Sequence, residues 1–154
     1  MVQEVSRIEG DRSFLLVRSG AVYFALQASE VVRVVRGLLC HSVPGSRIHF
    51  LGLALYGGEP LPVLDLHAMV EGKVAGKRHR STVILGRGRR RTHSLLGLAV
   101  DEVLRVTDGK EPVQAQEENG LEYEVVAFEG GSAKVLNTDG LLSREKKESE
   151  AADG

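Results

Sequence analysis

The chain has 154 residues, 42% of them hydrophobic and 27% charged, with a formal net charge of −1 and a single cysteine. That length allows one domain or two small fused ones that bury roughly 70% of the unfolded surface, and the lone Cys40 excludes an internal disulfide or a Cys-rich zinc site. No apolar run approaches the roughly 18 residues that span a bilayer, and MVQEVSRIEGDRSF carries charges where a signal peptide is apolar, so the expected setting is cytoplasmic, without membrane insertion.

In chain order, FLLVRSGAVYFAL (14–26) is two apolar runs about a turn at Ser19 and Gly20. QASEVVRVVRG (27–37) is open to one helical turn after Ser29 that leads into a strand, the β-branched valines favouring the strand end. RIHFLGLAL (47–55) suits a pleated surface, and LALYGGEPLPVLDL (53–66) places a tight-turn signal between two apolar runs. STVILG (81–86), HSLLGLAVDEVLRV (93–106), YEVVAF (123–128) and AKVLN (133–137) follow, separated by GRGRRR, TDGKEP and EGG. Many short strands without a long amphipathic helical pattern predict an all-β barrel or sandwich with little helix.

The charges are unevenly spread. Residues 66–100 hold eight Lys/Arg against Glu71 alone, while 101–130 hold nine acidic residues against Arg105 and Lys110. The basic 73–91 segment carries a rival reading, a nucleic-acid-binding β-barrel module. No aromatic residues interleave it for stacking on bases, however, and it matches no groove-binding motif, so nucleic acid is the lesser candidate partner.

Catalytic constellations fail on spacing or residue type. GKVAGKR (72–78) has three residues rather than four between its glycines, and Arg78 stands where a phosphate loop needs Ser or Thr. GRGRRR (86–91) puts Arg91 where a dinucleotide fingerprint needs its third glycine. His41, His49, His67, His79 and His93 lack HxxxH or HExxH spacing and cysteine partners, so neither a metal nor a cofactor is expected. Asp65 and Asp101 each follow an apolar run; paired carboxylates for acid–base work are one reading. The favoured reading has them accept backbone hydrogen bonds at strand ends, and an enzyme is not expected.

The order of the motifs is itself informative. FLLVRSGAVYFAL, SEVVRVV, VPGSRIHFLGLALYGGEPLPVLDL, STVILG, LLGLAVDEVLRV and EYEVVAFEGGSAKVLNTDGLL succeed one another as in the CheW-like coupling proteins of bacterial chemotaxis, which the chain resembles over about residues 13–142. Most specific are Gly-x-x-x-Pro-Val-x-Asp-Leu at 58–66 and Gly-x-x-Val-Asp-x-Val at 97–103. The resemblance implies two five-stranded SH3-like barrels packed together. A single domain at 11–143 would comprise barrel subdomains at roughly 11–80 and 81–143, with strands free to interleave, and flexible tails at 1–10 and 144–154. On that fold Phe14, Leu16, Tyr23, Phe24 and Leu26 fill the first barrel, and Val83, Leu85, Leu96, Leu98 and Val100 the second, while Gly52 and Gly97 let strands approach closely. The resemblance also implies a non-catalytic adaptor. Its partners would be the hairpin tip of a methyl-accepting chemoreceptor, held in a groove between the barrels, and the regulatory domain of a CheA-type histidine kinase, in arrays built from many weak contacts.

Two departures from the family pattern cluster. Where the family usually reads Asn-Leu-Arg-Gly, this chain has Leu55, Tyr56, Gly57 and Gly58, so no guanidinium is present for forked hydrogen bonds. In the Val-x-Glu-Val element, aligned with Val31, Val32, Arg33 and Val34, the acidic residue is Arg33, a reversal expected to repel the usual partner and select another. Val31, Val34, Leu53 and Leu55 are the apolar candidates for the groove. Arg33, Tyr56, Gly57 and Gly58 complete the expected partner-binding set, Tyr56 either as an interface anchor or packed over the barrel edge. The departures point to retained receptor binding with weak or absent kinase binding, the profile of an accessory adaptor.

Overall fold

The computed structural model describes residues 12–72, 81–86, 95–109, 114–118, 121–136 and 141. The tails at 1–10 and 144–154, and the basic 73–91 segment apart from 81–86, lie outside the described residues. Twelve strands are described: β1 Arg12–Ser19, β2 Val22–Gln27, β3 Val31–Arg36, β4 Cys40–His41, β5 Phe50–Tyr56, β6 Glu59–Asp65, β7 Ser81–Leu85, β8 Leu96–Val100, β9 Glu102–Gly109, β10 Gln114–Glu118, β11 Leu121–Phe128 and β12 Gly131–Leu136. Among the described residues, a 3-10 turn at Ala28–Glu30 leads into β3, the helical turn before a valine strand that 27–37 left open, and a short helix, α1 at Leu66–Glu71, follows β6.

The strands form two six-stranded sheets, ordered β10-β11-β12-β2-β1-β9 and β3-β7-β8-β6-β5-β4. In the first, β9 comes back against β11, so the sheet curls on itself. The sheets interleave along the chain: the first uses 12–27 and 102–136, the second 31–65 and 81–100. The division between barrels therefore does not fall near residue 80, because β1 and β2 take partners from the far end of the chain, β9 on one edge and β12, in parallel, on the other.

Three apolar clusters hold this arrangement. Inside the first barrel lie Phe14, Leu16, Ala25, Val126 and Ala133, with Tyr23 and Phe128 packed on them in an edge-to-face pair 5.5 Å apart. Inside the second lie the smaller Ala54, Leu61, Val63, Ile84 and Ala99. The largest cluster is between the barrels: Leu15, Val17, Phe24 and Leu26 meet Leu64, Val83, Leu85, Leu96, Leu98 and Val100. Phe24 and Leu26 thus face the other barrel rather than filling their own, and so do all five residues expected inside the second. The cause is that β7 and β8 are buried on both faces, so alternation along them carries no sign of which face is which. Each large side chain in this interface contributes about 1.5–3 kcal/mol of burial, which makes the seam a core in its own right.

Two glycines do what their spacing predicts. A Cβ on Gly52, at φ +146°, would fall on the carbonyl of His41. One on Gly97 would press on the side chains of Thr82 and Val63 at 3.0 Å.

Candidate partner-binding site

Asp65 and Asp101 are both occupied by backbone groups. Asp65 caps α1, its carboxylate accepting from the N–H of His67 at 3.0 Å and of Ala68 at 3.3 Å. Asp101 reaches further. Its carboxylate accepts the Gly20 N–H at 2.6 Å, across the molecule in the β1–β2 turn, and its own N–H donates to the Arg18 carbonyl at 3.0 Å. Arg18 donates to the Gly20 carbonyl at 2.7 Å and pairs with Glu102 at 3.0 Å. The β1–β2 turn is thereby tied to the point where the chain leaves β8 in one sheet for β9 in the other. Among the described residues no three His, Cys, Asp or Glu side chains gather as a metal site.

The second barrel carries the exposed apolar surface. The β5–β6 hairpin pairs Tyr56 with Glu59 across Gly57 and Gly58, whose φ values of 59° and 80° give the two-residue turn that favours this twist. That register puts Leu55 opposite Pro60 and Leu53 opposite Pro62, and β4 sets His41 opposite Leu53. Extending the β4–β5 register by one residue, from Cys40 opposite Ala54, sets Leu39 level with Leu55. Leu55 is 71% exposed and Leu39 73%, with Leu53 also exposed. On the same strands, Phe50 and Leu64 pack into the seam between the barrels. Leu53, Leu55, Pro60 and Pro62 are the uncovered continuation of that buried face. Proline is tolerated here because this part of β6 has β5 as its strand partner, the pairing with β8 starting only at Val63.

β3 lies on the other side of the seam strands. Val31 packs against the seam. A bulge between Val31 and Arg33 then breaks the alternation: Val32 and Val35 point into the barrel, while Arg33, Val34 and Arg36 are exposed. The bulge is what turns Arg33 to solvent, since regular pairing opposite the buried Ile84 would carry it inward.

The expected set therefore divides. Leu53 and Leu55 share one wall that ends in the Gly57 and Gly58 turn, whereas Val31, Arg33 and Val34 sit on the opposite flank. Tyr56 is turned into the barrel, half-buried against the interior cluster, since its place in β5 puts it on the Ala54 face and not the Leu55 face. Leu39, Pro60 and Pro62 join the wall without having been expected. The prolines were within reach, because a two-residue turn fixes the register across the hairpin; Leu39 gave no signal of its own.

Two small β-barrels sharing an apolar seam, with part of that seam face left open, define a binding scaffold. The chain matches the CheW-like domain over residues 13–146 and belongs to the CheW-like family. It is 30% identical over 151 residues to a probable chemotaxis protein CheW of Rhizobium etli, covering 94% of each chain. Its fold resembles the crystal structure of the scaffolding protein TtCheW from Thermoanaerobacter tengcongensis, with a TM-score of 0.67 at 17% identity over 82% of this chain and 89% of that one. The two sheets are the two SH3-like barrels of that fold. Members of the family are non-catalytic scaffolds, and this chain is a CheW-like scaffold of a chemotaxis system. Nucleic-acid binding is not favoured by these likenesses, and no helix among the described residues is long and apolar enough to cross a membrane.

Proposed function

We propose that the protein is a cytoplasmic accessory adaptor that binds the signalling tip of a methyl-accepting chemoreceptor and has weak or absent contact with a CheA-type histidine kinase. The observation that carries this reading is the open continuation of the inter-barrel face at Leu53, Leu55, Pro60 and Pro62. A helical hairpin laid there buries apolar side chains on a surface that already ends a core, the helix-in-groove mode. Arg33, turned out by its bulge, and the turn of Gly57 and Gly58, which has no guanidinium, bear on the kinase side of the reading. Both change the charge that a partner used to the common family pattern would meet.

Calorimetric titration with the cognate receptor hairpin and, separately, with the kinase regulatory domain tests this. Saturable binding to the hairpin and little to the kinase domain is expected. Tight kinase binding removes the accessory role, and binding to neither removes the receptor reading.

A further inference from the structure

Among the described residues the chain passes between the barrels twice, through the turn Ala28–Glu30 and through Asp101 alone, which separates β8 from β9. Residues at the ends of elements are where packed bodies pivot. Asp101 is held on both sides: its N–H donates to the Arg18 carbonyl at 3.0 Å, and its carboxylate accepts the Gly20 N–H at 2.6 Å. A Cβ built on Gly20 would lie 3.8 Å from the ring of His67, so the same turn also rests against α1, the helix that follows β6.

We propose that Asp101 is the positioning residue that fixes the angle between the barrels and, through it, the shape of the receptor-binding groove. Apolar contact is non-directional, whereas hydrogen bonds weaken steeply as their angle opens. The two bonds on Asp101 therefore oppose a small rotation that the seam side chains could follow by repacking. The groove depends on this angle because its two sides come from different barrels. On the second barrel the uncovered seam face is Leu53, Leu55, Pro60 and Pro62. On the first it is Val106, 57% exposed, which stands opposite the seam residue Leu15. β1 and β8 both run toward Asp101. Val106 lies toward the start of β1, and Pro60 and Pro62 precede Val63, the partner of Gly97 near the start of β8, so both surfaces lie at the end of the seam away from Asp101. A rotation of one barrel on the other changes the distance between them, and a rigid helical hairpin then loses contact with one. That consequence rests on the receptor reading above; the angle itself does not.

Amide residual dipolar couplings of the full chain read the angle, and calorimetry with the cognate receptor hairpin reads its effect. In the parent and in Asp101→Asn, which keeps an oxygen to accept the Gly20 N–H, couplings from both sheets should fit one alignment tensor. In Asp101→Ala each sheet should fit alone, with tensors that differ in orientation or magnitude, and hairpin affinity should fall roughly three- to tenfold. Val126→Ala, inside the first barrel, should lower the denaturant midpoint yet leave both readings unchanged. A single tensor for Asp101→Ala, or the same changes in Val126→Ala, overturns the proposal, and separate tensors with unchanged affinity overturn the link to the groove. Failure of the parent to bind the hairpin strikes the receptor reading alone, since the couplings decide the angle without it.

Discussion

The β1–β2 and β5–β6 hairpins close on two residues each and place glycine at positive φ, yet they sit in opposite surroundings. The first is bound into the molecule. Gly20 gives its N–H to Asp101 and its carbonyl to Arg18, and the ring of His67 lies near it. The second stands free: a Cβ built on Gly57 or Gly58 meets nothing within 4 Å, and the strand leading to it exposes Leu55. The same turn chemistry thus serves a joint in one place and an outward-facing surface in the other. Removing the side-chain contacts that hold the first turn should cost stability, whereas truncating the exposed side chains beside the second should cost binding; backbone strain from replacing a left-handed glycine is expected at either.

The largest loss of stability is expected from Asp101→Ala. A short hydrogen bond to a charged acceptor is removed and the Gly20 N–H is left without it, a change of about 2 kcal/mol readable as a lower denaturant midpoint with an unchanged slope. Gly58→Val should cost about 1–2 kcal/mol, because a β-branched residue is forced into the left-handed region, although nothing around it clashes. Arg18→Ala should cost less than about 1 kcal/mol, since its pair with Glu102 is half-exposed and such pairs are worth little. Leu55→Ser should fall within about 0.5 kcal/mol of the parent. A large destabilisation by Leu55→Ser, or none by Asp101→Ala, would break the comparison between the two turns.

The two motifs that carried the resemblance, at 58–66 and 97–103, end up at the hairpin and at the joint, and both were legible because each pairs turn residues with an acidic strand end. Asp65 and Asp101 do accept backbone hydrogen bonds, but that Asp101 serves a turn 81 residues away is a product of interleaved sheets and has no local signature. The division of the core was not legible for a related reason. Val83, Leu85, Leu96, Leu98 and Val100 lie on strands buried on both faces, and only the position of the other barrel says which face is the seam. Nor could VVRVVR show its bulge, since a run of valines suits either face of β3 and the register is set by β7. Arg33 was a sound candidate for the surface, while Tyr56 was decided by parity along β5 once Leu53 and Leu55 were seen to face out.

The central claim, that the open wall beside the seam receives the receptor, is tested most directly by calorimetric titration of the cognate chemoreceptor hairpin into the parent protein and into Leu55→Ser. The account predicts saturable binding by the parent and binding at least tenfold weaker by the variant, with superimposable thermal melts for the two. Equal affinities for the two proteins would contradict it.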